Sequence, residues 1–84
     1  MYIEFHRTFK KQYKKLSPKL RRQFLERLEI FKQNRSHNIL NNHELHHPYI
    51  GCYSINISGD YRALYAAQDD TVTFFIYQYS QRTI

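Results

Sequence analysis

Between Asn42 and Tyr65 the chain reads NHELHHPYIGCYSINISGDYRALY, and this stretch holds the side chains best suited to chemistry. His43, His46 and His47 crowd one short segment, and imidazoles exchange protons near neutral pH. Further on, Asp60 and Arg62 flank Tyr61. A guanidinium holds an oxyanion through two parallel hydrogen bonds, so Arg62 suits a phosphate undergoing displacement. Asp60 can orient a histidine or accept a proton, and a role as turn-capping residue explains it equally well. His43 and His46 have a His-x-x-His spacing that zinc tolerates. No convincing fourth ligand accompanies them and Cys52 stands alone, so no metal site is expected.

These residues need a scaffold, and the periodicity supplies one. Tyr2 to Phe5 fits a short first strand. Phe5, Phe9, Tyr13 and Leu16 recur at helical spacing, with Arg7, Lys10, Lys11, Lys14 and Lys15 on the other side. Ser17-Pro18 then restarts the chain, because serine caps helix N-termini and proline suits the first helical position. Leu20, Phe24, Leu28 and Phe31 form the apolar stripe of a second helix ending near Gln33-Asn34. Asn34 to Pro48 shows no sustained period and reads as a loop pinned by Ile39, Leu40 and Leu45. From Tyr53 the period becomes two: Tyr53, Ile55 and Ile57 alternate with Ser54, Asn56 and Ser58, as in a strand with one buried face. Ser58-Gly59-Asp60 turns the chain, Tyr61 to Ala66 returns, Gln68-Asp69-Asp70 turns again, and Thr71 to Tyr79 makes a third strand. The expected fold is α+β, β-α-α-β-β-β, with a helical hairpin packed on a small, mostly antiparallel sheet. Phe5, Phe9, Phe24, Leu28 and Phe31 belong to its core.

At 84 residues the chain is expected to be a single domain, 1–84. A lone cysteine excludes an internal disulfide and fits a reducing compartment. Lysines and arginines fill the first sixteen residues where a signal peptide would be apolar, and no run suits a bilayer span. A cytoplasmic protein is expected. Charge is unevenly spread. Residues 1–35 carry eleven Lys/Arg against three Glu, net +8, whereas residues 36–84 carry two against four acids, net −2. So basic a half points to a polyanionic partner, nucleic acid or an acidic protein segment. Lys10, Lys11, Lys14, Lys15 and Arg22 are the candidate phosphate-binding residues there.

The loop His43-Glu44-Leu45 and the string from Gly51 to Arg62 (GCYSINISGDYR) resemble a "His-x-Leu" loop and "Gly-x-x-Ser-Ile-x-Ile-x-Gly-Asp-Tyr-Arg" hairpin. Both belong to the RelE/ParE superfamily of bacterial toxins, and the likeness is greatest to its RelE, StbE and YafQ-like members. The superfamily has the element order read above. The resemblance implies a toxin of a type II toxin–antitoxin system, a metal-independent endoribonuclease without cofactor that cleaves ribosome-bound mRNA and inhibits translation. It implies a cognate antitoxin, contacts to ribosomal RNA, and no membrane partner. It assigns catalysis to His43, Arg62, Tyr79 and Asp60, and substrate phosphate to Asn56 and Arg82. Many relatives end in "Gly-Thr-His-Ser-x-Leu-Tyr"; here Tyr79-Ser80-Gln81 puts a tyrosine at the histidine position. That departure leaves a second reading, a binding protein without catalysis. It would be either a ParE-like gyrase inhibitor or a degenerate toxin that only binds its antitoxin.

Overall fold

A computed structural model describes residues 1–46 and 50–79, Tyr79 by its backbone. The expected α+β architecture is present. Strand β1 (Tyr2–Phe5) leads into helices α1 (Arg7–Lys14) and α2 (Pro18–Gln33). Strands β2 (His43–Glu44), β3 (Cys52–Asn56), β4 (Tyr61–Gln68) and β5 (Thr71–Tyr79) follow, and the sheet order is β1-β5-β4-β3-β2. Only β1 and β5 run parallel; the other neighbours are antiparallel.

Local chemistry accounts for the helix ends. The His6 ring accepts from the Thr8 amide at 3.1 Å and starts α1. Ser17 Oγ accepts from the Leu20 amide at 3.2 Å, and Pro18 begins α2 where its missing N–H goes unnoticed. Phe5 belongs to β1, so the helical spacing that began at Phe5 starts in the strand that feeds the helix.

The core lies between the hairpin and one face of the sheet. Phe9, Phe24, Leu28 and Phe31 pack there on Ile55, Ala63, Tyr65, Phe74 and Tyr77, with Phe5 partly buried at the rim. Aromatic rings dominate. Phe9 and Phe24 meet at 5.2 Å between centroids, Phe24 and Phe74 edge-to-face at 5.7 Å, and Phe31 and Tyr65 edge-to-face at 5.2 Å. Each such contact adds about 0.5–1.5 kcal/mol beyond area burial, a sizeable aid to so short a chain.

The segment expected to be loop from Asn34 to Pro48 is partly built. It holds a 3-10 turn, Asn38–Leu40, and the two-residue strand β2. Leu40 is fully buried and fastens the segment, whereas Ile39, also expected to pin it, is 44% exposed. Neither element shows in the sequence because three and two residues are too few to display a period.

Candidate active site

Ladder register divides the chain's functional candidates between two faces. Tyr53↔Tyr65 and Ile55↔Ala63 are register pairs on the helix side of β3 and β4. Side chains alternate along a strand, so His43↔Ser54↔Leu64 and Asn56↔Arg62↔Gln78 form two rows on the distal face. His43, Asn56 and Arg62 therefore share one surface. From His43 to Arg62 is two strand spacings and two residues, roughly 12 Å between Cα atoms, within the combined reach of an imidazole and an extended guanidinium. Leu64 is buried yet stands outside the main core cluster, so the distal face has an apolar centre of its own. Ser54 beside it is completely buried, and its Oγ has no hydrogen-bond partner among the described residues.

His43 is exposed on the short edge strand β2, with its ring held. Nδ1 lies 2.7 Å from the Asn41 carbonyl oxygen. A carbonyl only accepts, so Nδ1 carries the proton and the neutral ring presents Nε2 as its acceptor. That tautomer suits a general base. Asn41 reaches this carbonyl position with φ 45°, in the left-handed region that asparagine tolerates better than most residues. Arg62 is half-buried on β4, between Asn56 and Gln78, and supplies a cation to this face.

The other expected participants fall elsewhere. Asp60 is exposed in the β3–β4 turn beyond Arg62, so the strand direction carries it away from His43, which it does not orient. Tyr79 pairs with Tyr61, one residue out of phase with the Arg62–Gln78 row. Arg82 and His47 lie outside the described residues. Lys10, Lys11, Lys14, Lys15 and Arg22 are exposed on the two helices, which cover the opposite side of the sheet from His43 and Arg62. A phosphate at Arg62 is therefore out of their reach. The far end of the distal face is acidic: Glu4 and Asp69 line a depression of about 370 Å³ with Gln68, Thr71 and Thr73. A polyanion on this surface is thus drawn toward the Arg62 end.

Sequence reading missed Asn41, Asn42 and Gln78. An Asn-Asn pair just before a candidate histidine hints at positive φ, but partners distant in sequence carry no local signal. Tyr77, two residues before Tyr79, is no acid or base near neutrality. Burial, reinforced by the neighbouring phenols Tyr61 and Tyr13, pushes it up to about 12. Among the described residues no three His, Cys, Asp or Glu gather as metal ligands, and no helix is long and apolar enough to cross a membrane.

Known structures share this architecture. A YoeB/ParE toxin from Agrobacterium tumefaciens superposes with a TM-score of 0.79 at 11% identity, covering 94% of this chain and 98% of that one. The YoeB–YefM complex from Staphylococcus aureus gives 0.77 at 22% identity over 94% and 95%. An archaeal RelE–RelB complex from Pyrococcus horikoshii gives 0.74 at 19% over 98% and 97%. These likenesses establish a RelE/ParE-type fold. No curated protein sequence matches the chain significantly. The family model for the ParE toxin of type II toxin–antitoxin systems matches residues 3–78, nearly the whole chain, and the protein therefore belongs to that toxin family.

Proposed function

We propose that the chain is the toxin of a type II toxin–antitoxin pair that cleaves ribosome-bound mRNA in the cytoplasm, using side chains alone for proton transfer and charge neutralisation. One observation carries this reading: a histidine with Nε2 left as acceptor shares one sheet face with an arginine about two strands away. In internal transesterification the RNA 2′-oxygen attacks the neighbouring phosphorus. The 2′-O–P bond forms, the P–O5′ bond breaks, and a cyclic phosphate remains. His43 Nε2 takes the 2′-hydroxyl proton, and Arg62 holds the phosphate oxygens as negative charge grows on them. Asn56 and Gln78, its row neighbours, offer neutral hydrogen bonds to the same group. The leaving 5′-oxygen takes its proton from solvent or from Tyr79, which lies one residue out of phase with the Arg62 row, and Asp60 stands in the turn beyond Arg62.

The helix side fits the partner. An apolar groove of about 310 Å³ between α1 and α2, lined by Phe5, Phe9, Tyr13, Phe24 and Leu25 and flanked by Lys10 and Lys14, suits an acidic amphipathic antitoxin segment. Two of the similar structures are toxin–antitoxin complexes, which supports such a partner.

A second reading has its own support. The matching family model is that of ParE, and Tyr79 is out of phase with the Arg62 row. Both favour a ParE-like gyrase inhibitor, or a toxin fold that retains antitoxin binding only. Induced expression in a bacterial host, with mapping of mRNA 5′ ends for wild type and Arg62→Ala, separates them. Growth arrest with new cuts inside translated codons, lost in Arg62→Ala, is the expected result. Arrest without cuts redirects the reading to gyrase. Absence of arrest from soluble, folded protein leaves antitoxin binding as the function.

A further inference from the structure

The segment before His43 is tied to the core by one side chain. Asn42 Nδ2 donates to the Arg35 carbonyl at 3.0 Å, and Asn42 Oδ1 accepts from the Tyr65 hydroxyl at 2.9 Å. The Arg35 carbonyl can only accept, so the amide nitrogen must face it and the oxygen is left for Tyr65. Both polar ends of the Asn42 amide are thus engaged. One partner lies just past the end of α2, the other on the central strand β4.

Tyr65 is a rigid post. It is 1% exposed, and its ring is stacked on Tyr53 at 5.3 Å, edge-on to Phe31 at 5.2 Å and tilted against Phe74 at 5.4 Å. Its hydroxyl passes from the helix side of the sheet to the segment that carries His43. The peptide joining Asn41 to Asn42 bears the carbonyl to which His43 Nδ1 donates. Clamping Asn42 therefore fixes the plane of that peptide, and with it the acceptor that sets the histidine tautomer. Leu40, fully buried, and the Leu45 amide bonded to the Cys52 carbonyl at 2.8 Å hold the two ends of the segment.

We infer that Asn42 is a positioning residue. Braced by Tyr65 and the Arg35 carbonyl, it aims the Asn41 carbonyl at His43 and keeps Nε2 free to act as the base. The His43 tautomer follows from this geometry alone; the catalytic consequence rests on the RNA-cleaving reading above. Support from outside the catalytic shell is worth as much as a tenfold to hundredfold change in rate, because small displacements of a reacting group are amplified.

Ring 15N NMR of His43 in the free, full-length protein tests the claim directly. In wild type above neutral pH, Nδ1 gives the shift of a protonated nitrogen and Nε2 that of a bare one. In Asn42→Ala, and in Tyr65→Phe, the two nitrogens move toward the averaged shifts of an unconstrained imidazole, in which Nε2–H is the commoner tautomer. Tyr65→Phe deletes a single hydroxyl and keeps the ring, so it remains folded even should Asn42→Ala not. RNA cleavage by the folded variants, where wild type cleaves, shows kcat lowered about tenfold or more with KM little changed, because Arg62 and Asn56 still hold the phosphate. Unchanged His43 shifts in folded Tyr65→Phe, with unchanged kcat, overturn the inference and leave Asn42 a purely structural residue. Shifted nitrogens in a protein whose wild type cuts no RNA support the positioning and refute only the proposed catalysis.

Discussion

Tyr77→Phe should make this protein more stable, and the gain should grow in alkali. Tyr77 is 5% exposed, its ring lies 5.9 Å from Phe9 and 6.1 Å from Phe24, and its hydroxyl is buried without a partner among the described residues. A buried hydroxyl that exchanges its water for nothing costs about 1–3 kcal/mol, whereas phenylalanine fills the same space without that penalty. The expected gain at pH 7 is therefore about 1–2 kcal/mol. With an m-value on the order of 1 kcal/mol/M, the urea midpoint rises by roughly 1–2 M. The pH dependence follows from the same burial. The phenol is pushed from 10.0 up to about 12, chiefly by burial and then by Tyr61 and Tyr13. Above the unfolded value the folded state binds more protons than the unfolded chain, so stability falls as pH rises from about 10 to about 12 and is unaffected below. At pH 11 wild type has lost about 1.4 kcal/mol through this group, which Tyr77→Phe does not lose. Urea titrations of both proteins at pH 7 and pH 11 measure this gap; the remaining tyrosines are common to both and cancel. A lower midpoint for Tyr77→Phe at pH 7 would refute the reasoning, since it would mean that the hydroxyl is hydrogen-bonded in solution. Parallel losses in the two proteins by pH 11 would show that Tyr77 ionises as freely folded as unfolded.

Three further outcomes are expected. Gln12 Oε1 accepts from the Tyr77 amide at 2.7 Å, where β1 no longer covers β5, so Gln12→Ala should destabilise by about 1–2 kcal/mol. It should also speed hydrogen exchange selectively at the Tyr77 amide. Leu40→Ala should cost about 2–5 kcal/mol, because the side chain is fully buried and anchors the segment leading to His43; thermal melting reports the loss. For a short single-stranded RNA on the distal face, Arg62→Ala should lower the slope of log binding constant against log salt by about 0.7, the share of one phosphate contact. Lys10→Ala with Lys14→Ala should leave that slope unchanged, because the sheet and helices separate them from Arg62; a drop of about 1.4 would place the RNA on the helices instead.

Much of this molecule was legible because its signals are local. The amphipathic stripes of α1 and α2, the Ser17-Pro18 restart, the alternation from Tyr53 to Ile57 and the turns at Gly59 and Asp70 are short-range patterns. Each follows from steric preference or from the period of its element. The string from Ser54 to Arg62 carried the family resemblance, and the family match over residues 3–78 agrees with it. Residue types pointed to proton transfer by a loop histidine and phosphate binding by Arg62, and the resemblance singled out His43 from its neighbours His46 and His47. Tertiary structure decided which candidates can meet. Side chains alternate across a sheet, so a register set by pairing put His43, Asn56 and Arg62 on one face and the lysine-rich helices on the other. It carried Asp60 away from His43 and put Tyr79 opposite Tyr61. The orientation of His43 was hidden for a related reason. It depends on Asn42 bridging Arg35 and Tyr65, partners 7 and 23 residues away, and only the folded chain brings those distances within hydrogen-bond reach.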